Sequence, residues 1–210
     1  MEQLPEKYTT LGGEAHVEFE EKRSVFIGHA IHVDSEDEAL EFVKQIKKKY
    51  SDAKHNCFAY LLKGGIIARY SDDGEPQGTA GVPMLETIRK SGVEDVCVVV
   101  TRYFGGILLG AGGLVRAYSH SVSIALDAAG IVTYSPYYVY ELRCGYSEYQ
   151  KYINILSNDK AVIDSTDFGA EVAVRFAISR EKAEILLKKI SEAGYGKDIP
   201  VFVEERFDCR

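Results

Sequence analysis

The chain has 210 residues, 46% of them hydrophobic and 27% charged, which is the composition of a globular protein with enough apolar side chains for a core. Its formal net charge is −7, divided as −5 over residues 1–133 and −2 over residues 134–210. Proteins that bind nucleic acid mainly by neutralising phosphates are usually basic, so any such binding must rest on a local patch.

The sequence predicts neither a membrane-spanning helix nor a secretory signal peptide. No apolar run approaches the ~20 residues that a membrane-spanning helix needs, and "MEQLPEKYTT" has no signal-peptide character. The four cysteines lack the close spacing of a zinc site, so we expect reduced thiols in a cytoplasmic protein. They are Cys57, Cys97, Cys144 and Cys209.

A hairpin, a helix and a second hairpin are the first predicted elements. "HVEFEEKRSVFIGHAIHV" is typical of two strands joined by the charged "EEKR" turn. Ser35 and Glu38 have the spacing of a capping box at the start of a helix. The apolar face predicted for that helix comprises Ala39, Phe42, Val43, Ile46 and Tyr50. "NCFAYLLKGGIIARYS" predicts the second hairpin, with a two-residue turn at Gly64–Gly65.

A polar loop, "RYSDDGEPQGTAG" at residues 69–81, separates the second hairpin from a short helix predicted from Pro83 to Gly92. The apolar run 96–100 indicates a strand that is buried on both faces. A glycine-rich segment follows it and leads into a longer helix from about Leu114 to Ala129. We predict that its inward face comprises Val115, Tyr118, Val122, Ala125, Leu126 and Ala129.

A domain boundary is predicted within "GIVTYSPYY", which gives an N-terminal domain at 1–133 and a C-terminal domain at 134–210. The C-terminal part has the order βαββαβ, with Ser147 and Gln150 capping its first helix. Its second helix buries Ala183, Leu186, Leu187 and Ile190. This order is typical of a ferredoxin-like domain, so the predicted class is α+β.

The segment "TRYFGGILLGAGG" is the main candidate for ligand binding. Its glycines lie between a buried strand and a helix, where backbone N–H groups and the helix dipole favour an anion. The P-loop and dinucleotide patterns are both absent. Two interpretations therefore stay open: a tight turn with close packing, or an anion contact in which Arg102 and Arg116 converge.

Two aromatic residues follow Arg102. Loops at the end of a central strand hold ligands in open α/β sheets, and an exposed Arg–Tyr pair could grip phosphate and stack on bases. We therefore place Tyr103 at the binding surface and expect Phe104 in the core.

The acids of the polar loop allow three interpretations. Asp72, Asp73 and Glu75 could hold a magnesium ion, or occupy a solvated turn closed by Gly74 and Pro76. Alternatively, one carboxylate orients Arg69 or Arg102 through a fork-like hydrogen bond. We favour the structural interpretations and expect no metal and no cofactor.

Nucleophilic catalysis has little support in the sequence. Cys57 begins an apolar strand, where a buried and inert thiol is the more common case. His55 lies two residues before it, and none of the five histidines has an evident partner. We therefore name no catalytic residue and consider a non-enzymatic protein more consistent with the sequence.

Four segments together resemble the IMPACT family in its bacterial YigZ/YvyE type. They are "KRSVFIGHA", "KHNCFAY", "SDDGEPQGTAG" and "VVVTRYFGGILLGAGGLVRAY", which occur in that order. The resemblance implies an N-terminal domain like the second domain of ribosomal protein S-five. It also implies a C-terminal domain like the fifth domain of the translocation factor EF-G. The resemblance further implies eukaryotic relatives that regulate translation through protein contacts and carry a different accessory domain, which we do not expect in this chain.

The leading hypothesis is a non-enzymatic cytoplasmic regulator of translation that binds RNA or a ribosomal particle, or a protein partner in translation control, and no membrane. Its anion-binding residues would be Arg69, Arg102, Tyr103, Gly105, Gly106, Gly110, Gly112, Gly113 and Arg116. Its recognition loop would comprise Asp72, Asp73, Gly74, Glu75, Gln77, Gly78 and Thr79. The alternatives are a small hydrolase acting on a phosphorylated or amide substrate in the same cleft, and a pure protein-interaction adaptor.

Overall fold

The computed structural model describes residues 7–62 and 64–209, and these residues form two compact units. One unit comprises residues 8–133, and the other comprises residues 134–209 together with Lys7. Each unit has its own hydrophobic core. In the part of the chain that is described, no helix is both long and apolar enough to cross a membrane.

The N-terminal unit is an antiparallel sheet with helices on both faces. Its elements are β1 (Tyr8–Leu11), β2 (Ala15–Glu21), β3 (Ser24–His32), α1 (Glu36–Lys49), β4 (His55–Leu62), β5 (Ile67–Ser71), α2 (Gly81–Ser91), β6 (Val96–Tyr103) and α3 (Gly110–Ala129). The main sheet has the order β2-β3-β6-β4-β5, with every neighbouring pair antiparallel. The sequence analysis placed a ligand at the end of the central strand by analogy with open, parallel α/β sheets. This sheet is antiparallel, so that analogy does not apply to it.

The central strand β6 is buried on both faces, as its apolar run predicted. Val98 and Val100 pack with α2 and α3, whereas Cys97 and Val99 pack with α1. Alternation of side chains along a strand has a further result at its end, because Arg102 and Tyr103 must point to opposite faces of the sheet.

Two turns of the N-terminal unit follow the local chemistry of the sequence. Lys22 and Arg23 both have positive φ, +48° and +65°, which is the conformation of a two-residue hairpin turn. Ser35 Oγ accepts a hydrogen bond from the Glu38 N–H (3.3 Å), and Glu38 Oε2 accepts one from the Asp34 N–H (2.9 Å). The capping box is therefore confirmed, except that its return bond reaches Asp34.

Two expectations about the longer helix are wrong. Helix α3 begins at Gly110, four residues before the predicted start, so the glycines 110, 112 and 113 form its first turn. Val115 is 37% exposed, while Tyr118, Val122, Ala125 and Leu126 are buried as predicted. Glycine lowers helix propensity but does not prevent a helix from starting, so the composition of this segment gave the wrong boundary.

The C-terminal unit has the predicted βαββαβ order. Its elements are β7 (Ile131–Cys144), α4 (Tyr146–Asn158), β8 (Val162–Phe168), β9 (Val172–Ser179), α5 (Arg180–Ala193) and β10 (Val201–Cys209). The strands lie in the order β10-β7-β9-β8, all antiparallel, as in a ferredoxin-like sheet. Helix α4 starts from an N-cap at Gly145, so the cap predicted at Ser147 is wrong.

The two faces of this sheet differ in chemistry. Leu142, Val174 and Phe176 face the helices and pack with Leu156 and Leu186. The other face has a small buried apolar cluster that includes Tyr137, Val139 and Ala177, together with ion pairs. Arg206 makes two hydrogen bonds with the Asp164 carboxylate, at 2.8 and 2.9 Å, and Arg175 lies 2.5 Å from Glu204.

Leu186 and Ile185 are adjacent on α5 but differ in burial, 0% and 60% exposed. We predict that Leu186→Ala lowers the free energy of unfolding of the C-terminal unit by about 2–5 kcal/mol, because it leaves a cavity. Ile185→Ala, the matched control, changes it by less than about 0.5 kcal/mol. Urea denaturation followed by circular dichroism measures both, and equal losses would contradict the packing of α5.

Candidate functional site

Several segments meet at one end of the N-terminal sheet. His55, at the start of β4, pairs with Arg102 near the end of β6, and Val25 of β3 pairs with Tyr103. The loop 72–80 and the segment 104–109 extend from this end. They enclose a cleft of about 390 Å³, which is within the usual size range of ligand sites. The cleft is lined by Lys54, His55, Gly74, Glu75, Pro76, Arg102, Phe104, Leu108, Leu109, Gly110, Ala111 and Leu114.

Asp72 organises the polar loop from within. Its Oδ1 accepts hydrogen bonds from the N–H groups of Ala80 (3.0 Å) and Gly81 (2.8 Å), and its Oδ2 accepts one from Gly78 (2.8 Å). These bonds cap the first turn of α2, whose N–H groups lack partners within the helix. Thr79 supports the same turn, because its hydroxyl donates to the Pro76 carbonyl (2.6 Å).

Asp73 fixes the loop to its neighbours. Its Oδ1 lies 2.6 Å from the Lys47 ammonium, and its Oδ2 accepts a hydrogen bond from the Asn56 N–H (2.7 Å). The carbonyl of Asp73 is 2.9 Å from His55 Nδ1, and Gly74 lies against the same imidazole. This part of the loop is therefore held against β4.

A buried ion pair forms the floor of the cleft. Glu75 Oε1 accepts hydrogen bonds from Arg102 Nη1 (2.6 Å) and from the Tyr118 hydroxyl (2.8 Å). Arg102 is 5% exposed, and its guanidinium lies 5.4 Å from the Phe26 ring and 5.6 Å from the Phe104 ring. Glu75 thus orients Arg102, one of the three interpretations of the loop acids, through a single hydrogen bond and not a fork.

These contacts account for the acids of the loop without a metal. Asp72 is bound by backbone N–H groups, Asp73 by Lys47, and Glu75 by Arg102 and Tyr118. Across the residues that are described, no group of three or more His, Cys, Asp or Glu side chains is placed to hold a metal ion.

The predicted anion-binding residues do not form one surface. Arg69 lies on β5, 3.5 Å from Glu36 of α1, and does not line the cleft. Tyr103 points to the face opposite Arg102 and donates to Asp52 (2.8 Å). Arg116 is exposed in a neighbouring groove with Phe19, Glu21, Gly113, Ala117 and His120.

Burial reverses two further expectations. Arg102 is buried in an ion pair, so it does not offer a free guanidinium to phosphate. Phe104, expected in the core, is 45% exposed at the cleft. Phe104 is exposed because β6 ends at Tyr103, which leaves the next residue outside the sheet. Arg102 is buried because Glu75 of the polar loop and the rings of Phe26 and Phe104 lie against its guanidinium.

Four of the five glycines in the predicted anion site are explained by the fold. A Cβ at Gly105 would lie 2.0 Å from the backbone of Arg23, and a Cβ at Gly113 would lie 2.9 Å from Leu109. Gly106 and Gly110 have positive φ. Gly112 is different, because its Cβ would meet only Arg116 Nη1, at 3.6 Å. Of the recognition-loop residues, Gly78 has positive φ and Gln77 is exposed.

Three cations were missed by the sequence analysis. Lys22 and Arg23 are exposed in the turn that packs against Gly105, and Lys54 is exposed at the cleft. The sequence predicted that "EEKR" is a hairpin turn. It did not predict that this turn lies beside the glycine-rich segment. Lys54 precedes the strand that pairs with Arg102, so correct strand pairing would have placed it at the site.

The histidines have partners that the sequence did not reveal. His16 and His29 face each other across β2 and β3, with their Nδ1 atoms 2.7 Å apart. Glu14 lies 3.0 Å from His16 Nε2, and Thr101 lies 3.3 Å from His29 Nε2. Burial is the main cause that lowers the pKa of His29 to about 3, and the neighbouring His16 and Lys49 add to it. This imidazole is therefore neutral in the folded protein.

Cys57 is a buried thiol and not an activated nucleophile. Its Sγ donates to the Asp72 carbonyl (2.9 Å) and lies 3.4 Å from the Tyr118 hydroxyl. Burial raises the pKa of the thiol to about 12. A nucleophilic cysteine needs a lowered pKa, so the geometry does not support a hydrolase built on this residue.

The fold and the cleft define a class: a two-unit α+β protein whose N-terminal unit has a ligand-sized cleft at one end of its sheet. Residues 22–126 match the family model described as the Impact N-terminal domain, and the chain belongs to the IMPACT family. The matched residues include the turn at Lys22, the polar loop and the first turn of α3.

Relatives cover most of the chain. IMPACT family member YvyE of Bacillus subtilis is 39% identical over 88% of this chain and 85% of that protein. IMPACT family member YigZ of Escherichia coli is 35% identical over 88% of this chain and 92% of that protein. A crystal structure titled as that of a hypothetical protein is 34% identical, with a TM-score of 0.60 over 96% of this chain and 99% of that one.

Arg102 and Arg89 both form ion pairs, but side-chain exposure is 6% for Arg102 and 48% for Arg89. We predict that Arg102→Ala lowers the free energy of unfolding by about 3–5 kcal/mol, because Glu75 is left buried without its partner. Arg89→Ala serves as the control, and it should cost less than about 1 kcal/mol. Denaturant unfolding of both variants tests this, and a mild effect at Arg102 would show that the pair is not buried in solution.

The Cys57 thiol is expected to resist alkylation. At about pH 8, far below its pKa of about 12, it stays protonated and shielded, whereas Cys209 is partly exposed. Iodoacetamide labelling mapped by mass spectrometry should modify Cys209 and leave Cys57 unmodified until the protein unfolds. Rapid labelling of Cys57 in the native protein would restore the nucleophile interpretation.

Proposed function

We propose that the protein is a non-enzymatic, cytoplasmic regulator of translation that binds RNA or a ribosome-associated partner at the cleft end of its N-terminal unit. Translation control is what the family resemblance implies, and membership of the family supports it. The surface is redrawn from the one that the sequence predicted, because Arg69 and Tyr103 lie away from the cleft.

One observation carries the proposal: the cleft end has exposed cations that form no ion pair among the described residues. Lys22, Arg23, Lys54 and Arg116 are exposed, and none forms an ion pair within residues 7–62 and 64–209. The acids of the neighbouring loop are held by their own hydrogen bonds and ion pairs. The cations of this end are therefore available to phosphate groups, which supply most of the affinity of proteins for nucleic acid.

The C-terminal sheet is less suited to this role. Protein sheets that bind single-stranded RNA present aromatic side chains on the open face. Here the aromatic residue of that face, Tyr137, is buried in a small apolar cluster, and Arg175 and Arg206 are bound to Glu204 and Asp164. The cations of the C-terminal sheet face are thus neutralised, whereas those around the cleft are not.

Lys54→Ala and Arg116→Ala test the proposal, with Lys90→Ala as the control. Lys90 is also exposed but lies in the last turn of α2, away from the polar loop. Each test variant should weaken RNA binding several-fold and reduce the slope of log K against log salt by about 0.7–0.9, the contribution of one phosphate contact. Fluorescence anisotropy over a range of salt concentrations measures both quantities.

Co-sedimentation with ribosomal particles, with and without nuclease, tests the partner. Association that Lys54→Ala and Arg116→Ala weaken would support the proposal, and sensitivity to nuclease would identify RNA as the partner. If neither RNA nor ribosomal particles bind the folded wild-type protein, the proposal is wrong.

A further inference from the structure

Gly112 is a glycine that the fold does not require. Its φ is not positive, and an added Cβ would be in ordinary van der Waals contact with the end of the Arg116 side chain. Alanine in a helix is favoured over glycine by about 1 kcal/mol, so the protein would gain stability from a side chain here. A helical glycine with neither a packing reason nor a positive φ leaves its backbone open to close approach by another molecule.

The first turn of α3 also leaves its N–H groups available. Helix α1 is capped by Ser35, and α2 is capped by Asp72. Helix α3 has no side-chain cap and no acid in its first turn, although it is 20 residues long. Such a turn attracts anions, because the N–H groups and the helix dipole both favour negative charge.

A second, independent observation is a buried hydrogen-bond donor in the cleft that has no acceptor in the part of the chain that is described. Arg102 lines the cleft, is buried, and its Nε–H has no hydrogen-bond acceptor among the residues described. Unsatisfied buried donors are rare in native proteins. Glu75 neutralises the charge of Arg102, so this side chain contributes only its unsatisfied Nε–H. The positive charge that suits the cleft to an anionic group comes from Lys54 and the helix terminus.

The first turn of α3 separates two concave surfaces. The cleft lies on one side, and the groove lined by Phe19, Glu21, Gly113, Arg116, Ala117 and His120 lies on the other. Cations occur on both sides, Lys54 at the cleft and Arg116 in the groove. A ligand with one charge would need only one of them, so the arrangement favours a chain of successive phosphates that crosses α3 at Gly112.

The exposed ring of Phe104 indicates that the bound RNA has unpaired bases. Its ring is 45% exposed at the cleft, and Leu108 beside it is 82% exposed. Exposed aromatic rings in single-strand binding proteins stack on bases. In a duplex the bases are already stacked inside the helix, so only an unpaired base can enter a cleft of about 390 Å³.

We propose that the cleft binds single-stranded RNA, with the phosphate backbone crossing the first turn of α3 at Gly112 and one unpaired base stacked on Phe104. The phosphate accepts hydrogen bonds from the free N–H groups of that turn, flanked by Lys54 and Arg116. This inference rests on the proposed function. It adds that the RNA is single-stranded, and it specifies where the backbone crosses α3 and which side chain stacks on a base.

The experiment uses the full chain and a short fluorescein-labelled adenylate oligomer, either alone or annealed to its complement. The single strand should bind, and the duplex should bind much more weakly. Phe104→Ala should reduce affinity about five- to hundredfold, the range that one stacked base contributes. Phe168→Ala, which removes a comparably exposed ring from the C-terminal unit, should leave affinity unchanged.

Gly112→Ala separates binding from folding. It should raise the melting temperature by about 1–4 °C, because the fold has room for the methyl group. It should also weaken single-strand binding about tenfold or more, because the methyl group keeps the phosphate from the N–H groups. Gly169→Ala is the control, since its Cβ would meet only a carbonyl at 3.7 Å in the C-terminal unit.

The outcomes distinguish this inference from the proposed function. If Lys54→Ala and Arg116→Ala weaken RNA binding while Phe104→Ala and Gly112→Ala bind like wild type, the proposed path of the RNA is wrong, but the cleft end of the N-terminal unit still binds RNA. Equal affinity for the duplex would also overturn the inference. If no RNA binds at all, both proposals that involve RNA are wrong, and ribosome association that survives nuclease would identify a protein as the partner.

Discussion

The buried pair of Glu75 and Arg102 is the interaction on which the cleft depends. It joins the polar loop to the central strand, and the Tyr118 hydroxyl brings α3 into the same contact. Two charges removed from water are costly unless their hydrogen bonds are satisfied, so this pair constrains the position of everything around it. The loop cannot move away from β6 without exposing Arg102 or leaving Glu75 uncompensated. The shape of the cleft is therefore set by electrostatics as much as by apolar packing.

Much of the fold could be predicted because its signals are local. The capping box at Ser35, the apolar run at 96–100 and the βαββαβ order all depend on residues close together in the chain. The α+β class and the family also follow from the sequence. The loop at Gly64–Gly65 shows the limit of local signals. Both glycines have the expected positive φ, but β4 and β5 pair at Leu62 and Ile67, so the connection is longer than the two residues predicted.

The site was harder to predict because it depends on strand pairing and on burial. Arg102 looks like a free cation beside two aromatic residues until Glu75, 27 positions earlier, is placed against it. The sequence indicates that Tyr103 belongs to the same binding surface as Arg102. Alternation along β6 places the two side chains on opposite faces of the sheet. Lys54 draws no attention in the sequence, and it gains importance only because β4 pairs with the end of β6. Sequence patterns name the residue types of such a site, whereas tertiary contacts decide which of them remain free.

The imidazole pair of His16 and His29 gives the N-terminal unit a sensitivity to acid. His29 stays neutral in the folded state down to about pH 3, whereas in the unfolded chain it takes up a proton near pH 6.5. Because the unfolded state then binds more protons, the contribution of His29 to stability is complete above about pH 6.5 and is lost as the pH falls toward 3. The strands that carry the pair, β2 and β3, end at the Lys22–Arg23 turn. The hairpin that presents two cations of the cleft end is thus built on a strand whose stability falls in acid, which links proton concentration to the integrity of that surface.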